Sequence, residues 1–384
     1  MEAVDVDWVI IGSGFGGSVS ALRLAEKGHS VLVLEQGRRW ADEDFAQTSW
    51  ETAKAQWVPQ LGMRGIMKIT PFRHVNVLTG VGVGGGSLTW ANTSYVPHSD
   101  AFYHHPQWGA LADWRAELEP HFATASRMLG VVEPAFDGPS ERLMQGLAED
   151  LGVPGSYRTT PVAVFMGEPG VRVDDPYFGG EGPARTGCTR CGQCILGCRV
   201  GAKNTLMKNY LWFAERAGAR IEAGRRVVDV RPIAAPDGGD GYLVEHAATP
   251  PARRADTRVV RARGVVLAGG TLGTNDLLLR CRESGSLPRL SARLGHLVRT
   301  NSETITAATA FAPDADYTDD VTITASIYPD EHTHITNNTY GDAGDANAAL
   351  FVPMVGDGTR GQRLRKLAGA VVRRPRAAAH AANP

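Results

Sequence analysis

Two groups of residues in this chain have the types and spacing to do chemistry. One is Cys188, Cys191, Cys194 and Cys198, four of the five cysteines, in the spacing C-x2-C-x2-C-x3-C. Thiolates this close in sequence can converge on a soft metal centre. The spacing matches the run with which bacterial ferredoxins hold iron–sulfur clusters, although position 199 is Arg where that run has Pro. An iron–sulfur cluster is the leading expectation, with zinc or an unmetallated, redox-active thiol knot as alternatives. The other group is Gly12, Gly14 and Gly17 in G-x-G-x-x-G spacing, with Phe15 and Gly16 between them and Glu35 eighteen residues past Gly17. Its chemistry is non-covalent. Gly12 makes a tight turn, Gly14 lets backbone approach a pyrophosphate, Gly17 lets helix pack on strand, and the carboxylate accepts ribose hydroxyls.

The elements that must position these groups are legible around them. An apolar run from Trp8 to Ile11 leads into the glycines. A helical pattern through Val19, Leu22 and Ala25 reaches Gly28, and a second apolar run, Val31 to Leu34, ends on Glu35. Strand, turn, helix, parallel strand and acid arrive in the order a dinucleotide site requires, and the helix N-terminus offers unpaired N–H groups to the pyrophosphate. The motif alone does not separate NAD from FAD. A second glycine run, Gly80 to Leu88 with glycines at 80, 82, 84, 85 and 86, is unfit for a helix interior. It suits a loop whose backbone passes close to a bulky cofactor.

Further on, 41–71 reads as an irregular covering segment, 101–131 as amphipathic helix broken by Pro120, and 162–166 as extended. A helix is expected over 206–217, closed by Gly218. Short segments at 220–222, 227–230, 242–244 and 258–261 read as an antiparallel meander, turning at Asp237-Gly238-Gly239. Gly264 to Thr271 reads as a separate buried strand returning to the dinucleotide sheet, and Val321 to Ile327 as a strand of period two. His332-x-His334, beside Asp330 and Glu331, has metal-ligand types but no further ligands nearby. His104, His105 and His121 read as surface or packing residues.

At 384 residues the chain is long enough for two domains, and its net charge of −1 gives no reason to invoke nucleic acid. No apolar run reaches the ~20 residues of a membrane span. The acidic N-terminus leaves no room for a secretory signal, which makes cytoplasmic residence the expectation.

With these segments laid out, the chain resembles the glucose–methanol–choline (GMC) flavoprotein oxidoreductases, in their cholesterol oxidase branch. The resemblance rests on Gly12, Gly14, Gly17, Ala21, Gly28 and Glu35; on Gly84-Gly85-Gly86-Ser87-Leu88; and on 265–274 with Ser284-Gly285-Ser286-Leu287-Pro288. It implies an α/β fold, with a Rossmann-like FAD-binding domain of parallel sheet plus meander (1–100 and 187–300) and a smaller α+β substrate domain (101–186 and 301–355). The composition of the chain itself, arginine-rich from Gly356, adds a basic, irregular tail, 356–384. The resemblance implies FAD as cofactor, contacted by Phe15, Gly16, Glu35 and Gly86 beside the rest of the two glycine segments, with Val227 meeting the adenine through its backbone. It implies a hydrophobic alcohol, foremost a sterol, as substrate, and oxygen or another electron acceptor as co-substrate. Hydride would pass from the carbinol to the flavin. Three residues after the loop Ser87, where cholesterol oxidases have Asn, stands Trp90, and Asn92 is the nearest amide. The family's catalytic His and Asn lie near the C-terminus of a longer chain, and nothing here resembles the His segment. Glu331 lies roughly where a carboxylate base would fall. Cholesterol oxidases lack the four-cysteine run, which resembles insertions in other flavoproteins of the group. Two rival expectations stand beside this one: a truncated, inactive FAD-binding protein, and an NAD-dependent dehydrogenase.

Overall fold

The computed structural model describes residues 4–249, 256–301, 303–307, 316–317, 320–341, 344 and 356–373. Strand β1 (Val6–Ile11), helix α1 (Phe15–Glu26) and strand β2 (Val31–Glu35) form the expected parallel unit, with Trp8 opposite Val31 and Ile11 opposite Leu34. Four further strands complete the sheet: β3 (Arg220–Ala223), β4 (Arg225–Pro232), β5 (Tyr242–Ala248) and β6 (Thr257–Leu267), followed by helix α2 (Gly270–Glu283). Their order is β3-β2-β1-β6-β5-β4. The first four run parallel, and β5 and β4 run antiparallel beside β6.

Two strand readings are corrected here. Segment 220–222 belongs to the parallel edge, pairing Arg220 with Leu32, and not to the meander. The segments at 258–261 and 264–267 form one strand, β6, whose Ala262 sits between Val6 of β1 and Tyr242 of β5. The polar residues Arg261 and Arg263 mask that continuity in the sequence. The turn between β4 and β5 carries the expected Asp-Gly pair. Gly238 is left-handed, and Gly239 N–H donates to Asp237 Oδ1 at 3.0 Å.

Both faces of the sheet are covered, which is why β1 and β2 read as unbroken apolar runs. On one face Ile10, Val31 and Val33 pack with Ala21, Leu22 and Ala25 of α1 and with Leu211 and Ala214 of the helix Tyr210–Arg216. On the other, Val9, Leu32 and Leu34 pack with Val230, Val244 and, from α2, Leu277 and Cys281.

Beyond the sheet, a hairpin pairs Met67–Pro71 with Asn76–Gly80 and feeds the second glycine run. Helix Trp114–Met128 passes through Pro120 unbroken. Of the expected 321–327 strand, Ala325–Ile327 is strand, paired with Ile335–Thr336 and Arg158–Thr159, and its three residues are all buried. The tail expected to be irregular holds a helix, Arg360–Arg373. It is started by a capping box, in which Gln362 N–H donates to Thr359 Oγ1 and Thr359 N–H donates to Gln362 Oε1. Residues 374–384 lie outside the described residues. Among those described, no helix is long and apolar enough to cross a membrane.

Candidate functional site

The glycine turn stands at the carboxyl ends of β1 and β6, where the chain leaves to opposite sides of the sheet and open α/β folds bind ligands. Gly12 has φ +100°, and a Cβ there would lie 2.4 Å from the carbonyl oxygen of Ala268. A Cβ on Gly17 would lie 2.0 Å from the oxygen of Gly12. Both glycines are therefore required by the turn itself. Gly14 faces the second glycine run, since a Cβ on Gly85 would come within 2.6 Å of Gly14 Cα. The two runs thus stack backbone on backbone, and Ser87 of the 85–88 turn donates to Gly84 O and accepts from Leu206 N–H. Gly16 opens on free space, and Phe15 is 40% exposed, its ring edge-on to Trp90 at 5.2 Å.

The N-terminus of α1 has no side-chain cap and no acid in its first turn, so its amides and partial positive charge face outward unopposed. A cavity of about 630 Å³ opens beside it, lined by Gly16, Ala268, Thr271, Asn275, Arg293 and Arg299 among others. Uncapped amides, two arginines and side-chain-free backbone fit the pyrophosphate of FAD.

Glu35 is buried and ties three segments together. One carboxylate oxygen accepts from Ser13 N–H at 3.1 Å and Ser13 Oγ at 2.8 Å, and the other accepts from Gly37 N–H at 2.9 Å. Ser13 Oγ in turn accepts from Gly84 N–H at 3.1 Å. Burial pushes the Glu35 carboxyl above its ordinary value, against the hydrogen bonds that hold it charged. Val227 is buried in β4, at the register shift between 227 and 229.

The four cysteines are free thiols around a second cavity of about 180 Å³. The chain wraps it through left-handed Arg190, Gly192 and Gly197. Among the described residues no three His, Cys, Asp or Glu side chains are placed to hold a single metal ion. Burial pushes the Cys188 thiol up to about 12 and raises Cys194 as well. Asn92 lines this cavity, not the glycine turn. It is left-handed at φ +67°, fully buried, and neither side-chain polar atom has a partner among the described residues.

Sequence reasoning missed two residues here. Lys203, 1% exposed, donates to Leu88 O at 3.0 Å, Trp90 O at 2.8 Å and Cys194 O at 2.7 Å, joining the cysteine segment to the second glycine run. Burial pushes its ammonium down to about 8. Arg185, equally buried, donates to Asn204 Oδ1, Pro183 O and Lys208 O just before the first cysteine. A Lys or Arg carries no sequence mark that it will be buried.

Glu331 lies on a surface turn, its side chain 69% exposed and 3.4 Å from the His332 ring nitrogen. His334 stacks on Tyr328 at 4.5 Å and meets Tyr95 edge-on at 4.6 Å. The Tyr95 hydroxyl pairs with Ser326 and Thr160. The His332-x-His334 pair is therefore split between solvent and packing.

A family model described as FAD dependent oxidoreductase matches residues 7–351. A cholesterol oxidase of Mycobacterium tuberculosis is 47% identical over 392 residues, taking in 99% of this chain and 67% of that one. A cholesterol oxidase of Acinetobacter baumannii is 44% identical over 355 residues, 91% of this chain and 64% of that one. The chain spans about two thirds of the length of these curated relatives. Among solved structures, an FAD-dependent oxidoreductase from Chaetomium thermophilum aligns at a TM-score of 0.46 and 19% identity, over 71% of this chain and 47% of that one.

Proposed function

The chain belongs to the FAD-dependent oxidoreductases, in the cholesterol oxidase-like branch of the GMC group, and on that premise we propose that it oxidises a sterol hydroxyl to the ketone. The observation that carries the cofactor half is the stacking of Gly85 on Gly14 beside an uncapped helix N-terminus, a backbone contact that a Cβ on Gly85 would forbid. FAD, when bound, supplies the two-electron sink for the carbinol hydride. The chain's own residues do the holding: the α1 amides take the pyrophosphate, Glu35 the adenosine ribose, and Gly84 to Ser87 admit the flavin end. The sterol half rests on the two cholesterol oxidases, with the buried strand Ala325–Ile327 and its Tyr95, Tyr328 and His334 as the proposed substrate side.

In this proposal oxygen or another acceptor takes the electrons. An iron–sulfur centre at Cys188, Cys191, Cys194 and Cys198 would make that acceptor a separate carrier. The cytoplasm, which keeps closely spaced thiols reduced, is the proposed location.

The test is anaerobic addition of cholesterol to the purified, FAD-loaded chain, followed by flavin absorbance and steroid ketone. Bleaching with ketone formation is expected, and a chain that takes up no FAD sinks the proposal. FAD uptake without bleaching supports the second reading, a flavin-binding protein without turnover. What favours that reading is the exposed position of Glu331.

A further inference from the structure

The cavity among the cysteines has features that the sterol reading does not use. Four sulfur-bearing side chains line it, from a run in ferredoxin spacing. Its volume of about 180 Å³ is that of roughly six waters, far more than one ion needs. In a polynuclear cluster each iron takes one protein thiolate, so four thiols spread around one cavity suit it without converging on a single point. Backbone amides are already turned to the sulfurs, with Arg190 N–H donating to Cys188 Sγ at 3.4 Å.

Two buried polar side chains at the same cavity are short of a partner, one of a hydrogen bond and the other of a counter-charge. Asn92 presents an amide with no hydrogen bond on either atom among the described residues. Lys203 buries an ammonium whose three partners are all carbonyl oxygens, with no carboxylate among them. Unpaired buried amides and charges are costly, and an anionic occupant that accepts hydrogen bonds would answer both at once.

We propose that this cavity is the site of a polynuclear iron–sulfur cluster ligated by Cys188, Cys191, Cys194 and Cys198. Lys203 is its fixed counter-cation, and the Asn92 amide donates to one of its sulfurs. Cys191 is exposed, which gives the cluster an edge at the surface. Lys203 also holds the carbonyls of Leu88 and Trp90, so the cluster site and the glycine run 80–88 share one anchor.

The test is iron, acid-labile sulfide and zinc content of the full chain after anaerobic reconstitution with ferrous iron and sulfide, read beside flavin content. About three to four iron atoms per chain with matching sulfide are expected, and the Cys191→Ser/Cys194→Ser double variant should lose them while keeping its flavin. Asn92→Asp, which tolerates the left-handed backbone, and Lys203→Met should each keep the iron and move the cluster's midpoint potential downward, because each removes positive character beside it. Iron no higher than in the double variant, or one zinc per chain without sulfide, overturns the proposal. A cluster whose potential neither substitution moves overturns the roles of Asn92 and Lys203. Flavin without iron leaves the sterol reading standing, and iron without flavin or ketone does the reverse.

Discussion

Glu35→Gln separates two opposed effects at the centre of the cofactor site. The carboxylate is 5% exposed and accepts from Ser13 N–H and Oγ on one oxygen and from Gly37 N–H on the other, with the Gly82 amide also lowering its pKa. Gln removes the cost of burying a charge, but it has one acceptor oxygen, and its amide nitrogen would face a donor. If the oxygen stays with Ser13, Gly37 N–H is orphaned, at about 1–3 kcal/mol. Loss of acceptors should win at neutral pH, leaving the variant less stable by about 1–2 kcal/mol. FAD affinity should fall by about tenfold or more, since a ribose acceptor is lost too.

The pH dependence gives a sharper check. The folded-state pKa of Glu35 is raised above 4.5, so the native chain takes up a proton before the unfolded chain does. Wild-type stability from this group therefore rises as pH falls through the window between the raised value and 4.5, and its cost is fully present above that window. The Gln side chain does not titrate there. The stability gap between wild type and variant should widen on acidification, the opposite of a salt-bridged carboxylate. Chemical denaturation across that window, with FAD titration at neutral pH, is the assay. Equal stability with unchanged FAD affinity, or a gap that closes on acidification, would show that Glu35 is not a buried acceptor at the cofactor site.

Gly12→Ala forces a left-handed alanine whose Cβ would sit 2.4 Å from Ala268 O, so β1 and β6 must part. A loss of about 2–4 kcal/mol and of FAD binding is expected by thermal unfolding and flavin retention, and a stable, flavin-retaining variant would count against the turn as described. Arg185→Gln removes the fork that joins Pro183, Asn204 and Lys208, at about 2–4 kcal/mol. Reactivity of the four cysteines toward a thiol reagent should rise with it, and unchanged reactivity would show that Arg185 does not order that segment.

The cofactor half of the fold was legible because each residue type there has one physical job. Gly12 and Gly17 leave no space for a side chain, and the buried run Val31–Leu34 leads into an acid. The parallel edge strand Arg220–Ala223 was misread because a four-residue strand with Arg and Glu in it has no apolar pattern to declare its partner. The unity of β6 was hidden by Arg261 and Arg263, and Val321 to Ile327 lost its period because it is buried almost throughout. The tail helix did carry a signal, Thr359 three residues before Gln362, overlooked beside a run of arginines. Asn92 was legible as an amide near the glycine run, but the cavity it lines is set by chain crossings that no local pattern encodes.

The position of β6 between β1 and β5 also bears on how the molecule comes to exist. Arg261 N–H donates to Asp5 Oδ2 across a separation of 256 residues, and the whole of β1 takes its second neighbour from that late strand. During synthesis the turn at Gly12 leaves the ribosome well ahead of β6, so one edge of β1 stays unpaired until Thr257–Leu267 has followed. Long-range parallel pairing of this kind is slow and leaves apolar edges open to association. The flavin cradle is thus written early and finished late, and FAD added during refolding should act as a late clamp on a nearly complete sheet rather than as a seed for it.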